Sequence, residues 1–503
     1  MTVDADFAEL KQRLQAIEDL RCAEAVLHWD ESTYMPKGGA EARGRQAALL
    51  NSLAHERLID PAIGRLLDSV TPWAETQGAD SDAAALVRVT RRDHERATRV
   101  PTAFMRELTE HASASYHAWQ RARPANDFAT MRPMLEKTVE LSRELAAFHP
   151  GYAHPFDPLI DLAEDGMTVR AVRALFAELR KGLVPLIEAI CARPVLDDGC
   201  LRGDYPEEAQ RAFGETVARA FGYDFEHGRQ DKTAHPFMIK LGQGDVRITT
   251  RYRSDDLSDG LFSTLHEAGH AMYEQGIDGS LEGTPLCHGT TAGVHESQSR
   301  LWENMVGRSL PFWRHWYPKL KAAFPKALNG ADVGTFYRAI NKVAPSLVRT
   351  DADELTYNLH VMMRFDLEID MLEGKLAVAD LPGAWRARIK RDLGVSPPDD
   401  RDGALQDVHW YGGIVGGQFQ SYTLGNIMSG QFFAAARRDL SDLDAQIGAG
   451  EFRPLRRWLT DRVHRHGRKF TAPEIVERAT GEPLSIGPYL SYLNDKYRPL
   501  YGL

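Results

Sequence analysis

Cysteine is scarce: four in 503 residues, with Cys22, Cys191, Cys200 and Cys287 showing no C-x-x-C spacing. That excludes a disulfide framework or a cysteine-built metal cluster as the organising device and fits a reducing compartment. Long apolar runs are missing too. None reaches the roughly 18 residues of a membrane-spanning helix, and the first residues, MTVDADFAELKQRL, are acidic and amphipathic without an apolar leader core. A cytoplasmic chain with no membrane partner is expected. Positive charge is in deficit: 61 Lys and Arg against 71 Asp and Glu leave −10 at pH 7, which argues against a nucleic-acid partner. The basic runs at residues 88–92 and 462–466 sit beside Asp93, Glu95 and Asp461 and read as solvated helix surface. No linker, low-complexity run or internal repeat divides the chain, so one domain over residues 1–503 is expected, although the length alone allows two or three.

Helical periodicity fills most of the sequence. Stretches rich in Ala, Leu, Glu and Arg predict helices over residues 5–27, 38–58, 79–99, 130–148, 168–193, 206–221, 331–346, 352–374 and 430–446. One hairpin interrupts them, with residues 235–241 leading through Gly242-Gln243-Gly244 into 245–252. In its second strand Val246, Ile248, Thr250 and Tyr252 share one face, and Asp245, Arg247, Thr249 and Arg251 the other. The fold class is therefore mainly α, with a small β-sheet just before the most informative segment.

That segment is His266-Glu267-Ala268-Gly269-His270, an H-E-x-x-H pentapeptide. Helix residues four apart lie on one face, so both imidazoles can reach one ion while Glu267 points at its open coordination position. With 18 histidines the pattern arises by chance in roughly a few per cent of such chains, so its context matters. Asp255, Asp256, Ser258 and Asp259 offer caps for a helix start, and Gly276 stands where a C′ glycine would end it. Leu261, Leu265, Ala268 and Met272 make one apolar face; Phe262, His266, His270 and Tyr273 make a second. Gly269 costs a helix about 1 kcal/mol relative to Ala, which predicts a close neighbour there. The alternative is a pair of core histidines with satisfied hydrogen bonds.

A catalytic zinc needs three protein ligands and an open site. Glu296 lies 26 residues beyond His270, at the start of a second helical stretch with Val294, Leu301 and Met305 apolar. Gly279, Gly283, Pro285 and Gly289 punctuate the connection and permit an antiparallel return. His295 is the rival ligand, but adjacent helix positions diverge by about 100°, so only one of the two faces the metal. Glu296 is preferred, giving a His₂Glu set. Against it stands a surface ion pair with Arg300 at i+4.

The chain also resembles the carboxypeptidase Taq family of zinc metallopeptidases over essentially its whole length. The matching pieces are His235-Pro236-Phe237, Asp245-Val246-Arg247-Ile248-Thr249, His266 to His270, and His295-Glu296-Ser297-Gln298. Val348-Arg349-Thr350-Asp351-Ala352-Asp353 and Gly403-Ala404-Leu405-Gln406-Asp407-Val408-His409-Trp410 follow in the family's order. Leu27-His28-Trp29-Asp30, Met35-Pro36 and residues 38–43 look like the family as well. Arg300 departs from thermolysin-like enzymes, which often carry Asp four residues after the ligand Glu, and leaves the partner behind the ligands unassigned. The resemblance implies a two-lobed helical fold with a deep groove, similar to angiotensin-converting enzyme and neurolysin, with the N-terminal helices as a candidate lid. It also implies a homodimer and broad removal of single residues from peptides with a free C-terminus.

Under that resemblance, Zn²⁺ sits on His266, His270 and Glu296, with Co²⁺ able to substitute, and Glu267 is the general base and acid. His409 is the first candidate donor to the oxyanion, and Tyr422 the second. Arg349 is the candidate for binding the substrate carboxylate, with Arg247 as alternative. Arg247 equally fits a structural part in which Asp245, Arg247 and Thr249 bond one another. His235 lines the groove or merely shapes the turn before Pro236. Gly412, Gly413, Gly416 and Gly417 suggest a closing loop; no Lys-Ser/Thr follows, so a phosphate loop is rejected. The competing functions are an oligopeptidase or dipeptidyl carboxypeptidase on the same zinc core, and a silent zinc scaffold, for which Glu267 would have no use.

Overall fold

The computed structural model describes residues 2–503. Each of the nine stretches read from periodicity carries a helix, among them Val3–Thr33, Ala40–Leu58, Val169–Cys191 and Thr356–Leu372. Two are displaced. Helix Val333–Ile340 stops early, ahead of Pro345, which biases the residue before it away from helical backbone. The last stretch belongs to Phe419–Asp439, whose first half is hidden in the sequence by Gly425 and Gly430. A Cβ on Gly430 would lie 2.6 Å from Tyr489 Cα, so this glycine serves packing and does not break the helix. Helices Pro61–Thr76, Leu310–Ala323, Leu381–Leu393 and Gly487–Tyr501 were not anticipated. All four carry proline in the first turn, where the missing N–H has no helical partner to lose.

Two compact units emerge, each assembled from three separate stretches. One comprises the chain up to Thr98, Asp198–Ile340 and Phe432–Pro483; the other comprises Arg99–Asp197, Asn341–Gln431 and Leu484–Leu503. Such interleaving leaves no linker for composition to reveal.

The first unit contains the sheet, β1 (Gln230–Lys232), β2 (Met238–Gly242) and β3 (Asp245–Thr250), in the order β1-β3-β2. β2 and β3 form the expected antiparallel hairpin, with an irregularity between Lys240 and Gly242. β1 runs parallel to β3 and, at three residues, is too short to show alternation in sequence. Val246 and Ile248 are fully buried. Above them a polar knot ties sheet to helix: the Gln230 side-chain amide donates to Thr250 Oγ1 (2.6 Å), Tyr252 Oη (3.0 Å) and Thr264 Oγ1 (2.8 Å).

Thr264 belongs to the pentapeptide helix, Leu257–Gln275, which Asp256 caps by accepting from the Ser258 amide at 2.8 Å. Such a cap contributes about 1 kcal/mol. Leu261, Leu265, Ala268 and Met272 are all but inaccessible, as the apolar face requires. Beneath them Phe221 packs on Trp302 and, edge-on, on Phe452, at 4.6 and 4.8 Å between ring centroids. Gly276 ends the helix, but not as a left-handed cap: its φ is −89°. Its lack of a side chain serves contact instead, because a Cβ would lie 2.8 Å from the His464 ring and 2.9 Å from Arg456.

At Gly269 two helix backbones meet. A Cβ there would fall 2.6 Å from Ser299 Cα and 2.8 Å from the Gln298 carbonyl oxygen, both in helix Ala292–Arg300. The second unit is organised around helix Thr356–Leu372, buried on almost every side, its polar Asn358, Arg364 and Glu368 included. Among the described residues no helix is long and apolar enough to cross a membrane.

Gly269→Ala adds helix propensity yet forces two backbones apart. It is expected to destabilise the protein by about 1–3 kcal/mol in urea unfolding. A variant as stable as the parent would contradict the close crossing.

Candidate metal centre

His266 and His270 stand one turn apart on the pentapeptide helix, with ring centroids 4.8 Å apart. Thr291, accepting from the Val294 amide, starts the helix that returns beside them and delivers Glu296. Glu296 Oε2 lies 3.5 Å from His266 Nε2 and 3.4 Å from His270 Nε2. Among the described residues these three form the one group of potential metal ligands, with one ligand atom from each lying within 4.8 Å of the others. Two imidazoles and a carboxylate are the donors a catalytic zinc takes, and ligand atoms about 2.0–2.2 Å from a tetrahedral ion stand about 3.3–3.5 Å apart. The residues fit the group.

Glu267 is buried, and desolvation pushes its carboxyl up to about 7. Burial pushes His270 down to about 3, leaving a neutral ring, the form that binds metals. For Glu296 burial works in the opposite sense from its neighbours; the charges of Arg300 and His266 outweigh it and hold the carboxyl well below the usual range. The anticipated Arg300 pair is real, with Nε donating to Glu296 Oε1 at 2.6 Å, and it coexists with the inward-facing Oε2.

Behind the candidate ligands stand Glu303 and Glu274, which sequence reasoning did not single out, and His295, which it weighed as a rival ligand. His266 Nδ1 lies 2.9 Å from Glu303 Oε2, and Glu303 is held by Arg300 Nη1 and Arg308 Nη2, each at 3.2 Å. Glu303 thus fills the partner position left unassigned. It follows Glu296 by seven residues, on the same face two turns on, past the i+4 position where a partner was sought, and Leu301–Val306 continues the helix as a π-helical turn. His295 faces His270 from behind, Nδ1 to Nδ1 at 2.6 Å, and pairs through Nε2 with Glu274 at 3.0 Å. Glu274 sits four residues after His270, a spacing that would have marked it.

The remaining anticipated residues are distributed as follows. Arg247 donates through Nε and Nη2 to both oxygens of Asp245 (2.8 and 2.7 Å) and covers the Trp29 ring at 4.2 Å. Thr249 bonds Phe237, not Arg247. His235 is exposed in the loop between β1 and β2. In the second unit Asp407 gathers three partners: Arg349 Nε (2.8 Å) and Arg364 Nε (3.0 Å) on Oδ2, and His409 Nδ1 (2.5 Å) on Oδ1. Arg349 is buried, also donates to Tyr357 Oη at 3.0 Å, and lies 5.1 Å from the Tyr422 ring centroid. Tyr422 Oη is 3.3 Å from His409 Nε2. Gly416 and Gly417 are buried in left-handed backbone, and a Cβ on Gly417 would meet the Leu159 carbonyl oxygen at 2.1 Å. These two glycines answer to packing, whereas Gly412 is exposed.

Comparison with known proteins bears directly on this arrangement. The profile of the carboxypeptidase Taq (M32) metallopeptidase family matches residues 9–497. The chain is 43% identical to thermostable carboxypeptidase 1 of Thermus thermophilus, with all of both chains covered. It is 36% identical to carboxypeptidase 1 of Bacillus subtilis, covering all of this chain and 99% of that one. The crystal structure of the M32 carboxypeptidase from Deinococcus radiodurans superposes with a TM-score of 0.96 at 50% identity, over 99% of this chain and 100% of that one. The chain belongs to the carboxypeptidase Taq (M32) metallopeptidase family, and with it to the metal-dependent carboxypeptidases.

Proposed function

We propose that this protein is a zinc-dependent carboxypeptidase that releases single C-terminal residues from peptides with broad specificity. The observation that carries the reading is the convergence of His266 Nε2, His270 Nε2 and Glu296 Oε2, with Glu267 on the same helix as the two histidines. When bound by these three, zinc supplies a Lewis acid that polarises the scissile carbonyl and lowers the pKa of water toward about 7; Co²⁺ suits the same donors. Glu267 takes the proton of the attacking water and returns it to the departing amine. Glu303 and His295 keep the two imidazoles aimed.

His409 is the proposed donor to the oxyanion, with Tyr422 second. Asp407 occupies His409 Nδ1, so donation from Nε2 engages the doubly protonated ring. Arg349 is the proposed binder of the substrate carboxylate, its plane fixed by Asp407 and Tyr357. The bidentate bond of Arg247 to Asp245 supports the structural part for that residue, and the exposed loop position of His235 supports a turn. Four cysteines, none of them in a disulfide, support a cytoplasmic setting, and the family resemblance a homodimer.

Glu267→Gln is expected to retain about one equivalent of Zn²⁺ and to lose about 10²–10⁴-fold in kcat on a peptide substrate. Undiminished turnover would remove Glu267 from the chemistry. One peptide offered with a free or an amidated C-terminus, followed by mass spectrometry, tests the specificity. Stepwise loss of single residues is expected from the free acid alone, abolished by chelation and restored by Zn²⁺ or Co²⁺. Internal cuts, or equal cleavage of the amide, would move the assignment to an oligopeptidase and leave Arg349 without its role.

A further inference from the structure

The two histidine ligands are supported by different means. His266 Nδ1 meets the Glu303 carboxylate directly, at 2.9 Å, whereas an imidazole stands between His270 and its carboxylate. We propose that His295, fixed by Glu274, is a positioning residue that sets the tautomer of His270, leaving its Nε2 bare toward the metal. This inference rests on the reading of His266, His270 and Glu296 as ligands.

The protons can be placed one after another from the buried carboxylate outward. Glu274 is 3% exposed and is approached by donors on both oxygens: the Gly289 amide at 2.8 Å on Oε1 and Lys240 Nζ at 3.0 Å on Oε2. Lys240 is itself held by the Cys287 carbonyl at 2.6 Å. A carboxylate in that setting only accepts, so the proton of the 3.0 Å contact sits on His295 Nε2. A second proton, on Nδ1, would face the Nδ1 proton that His270 must carry to offer Nε2 as a ligand atom, so His295 is bare at Nδ1. That bare nitrogen faces His270 Nδ1 at 2.6 Å, and two lone pairs cannot share such a distance, so His270 Nδ1 donates. The lone pair of His270 is then on Nε2, the atom 3.4 Å from Glu296 Oε2. The reverse assignment would put a proton on the ligand atom itself.

Packing fixes the same geometry. A Cβ on Gly289 would lie 2.6 Å from His295 Cδ2, 2.8 Å from Tyr273 Cε1 and 3.2 Å from Glu274 Oε1, so this loop presses the ring against its carboxylate. The Tyr273 ring closes another side, 5.1 Å from His295 between centroids. Glu274 shares a helix with His270, and His295 precedes Glu296, so the two helices that carry the ligands also carry this support.

Two substitutions separate the two ends of His295. Asn places an amide oxygen where Nδ1 stands and keeps an acceptor for His270. Gln reaches the position of Nε2 and keeps the bond to Glu274 but offers His270 no acceptor. In competition with a chromogenic chelator, the metal-stripped His295→Gln variant is expected to bind Zn²⁺ about 10–100-fold more weakly than the parent. His295→Asn is expected to stay within about 3-fold, and its Co²⁺ form to keep the parent's visible absorption bands while those of His295→Gln shift. Gly289→Ala crowds the ring without removing a donor or acceptor and is expected to weaken binding as well. Parental affinity in His295→Gln or in Gly289→Ala, or equal losses in His295→Gln and His295→Asn, would overturn the inference. A parent that binds no Zn²⁺, or His270→Ala binding as tightly as the parent, would overturn the ligand reading beneath it instead.

Discussion

Everything at the candidate metal centre depends on how closely two helices approach. Gly269 lies on Ser299 and Gln298 with no room for a methyl group, and that contact lets Glu296 reach the imidazoles of His266 and His270. The glycine costs the helix about 1 kcal/mol in isolation. The apolar face of Leu261, Leu265, Ala268 and Met272 offsets this, each large side chain contributing about 1.5–3 kcal/mol on burial. The sheet is bound into the same arrangement through the amide of Gln230 and the hydroxyls of Thr250 and Thr264. The core therefore does more than stabilise the fold: it holds three candidate ligand atoms close together.

Burial at that point carries an electrostatic cost. Glu267, Glu296 and Glu303 are all shielded from water, and three carboxylates without partners would repel one another. Arg300 bridges Glu296 and Glu303, and Arg308 takes the other oxygen of Glu303. At Glu267 burial outweighs the charges of His266 and Arg300 and pushes the carboxyl up to about 7. The three acids thereby differ: the arginines hold two of them as anions, and burial raises the third.

How much of this could be read in the sequence follows from how local each feature is. The pentapeptide, the cap at Asp256 and the apolar faces are properties of a single helix, so spacing alone reveals them. Glu296 was legible because one reversal of the chain brings it back. Glu303 shares the face of Glu296 but lies two turns on, past the i+4 position where a partner was sought, and Lys240 lies on a strand 34 residues before its partner Glu274, where no periodicity connects them. Prolines misled in the opposite direction: the four unanticipated helices carry one in the first turn, where a breaker is harmless. Glycines were ambiguous in the same manner. Gly269 was correctly taken as a contact; Gly276 resembled a terminator, and Gly416 and Gly417 part of a closing loop, and all three also pack tightly.

The central claim is that one ion is held by two imidazoles and one carboxylate. X-ray absorption at the zinc edge of the purified protein tests it most directly. The account predicts a first shell of nitrogen and oxygen at about 2.0–2.2 Å, with the outer-shell scattering of two imidazole rings that falls to one ring in His270→Ala. A sulfur shell at about 2.3 Å, or an oxygen-only shell unchanged by that substitution, would contradict it.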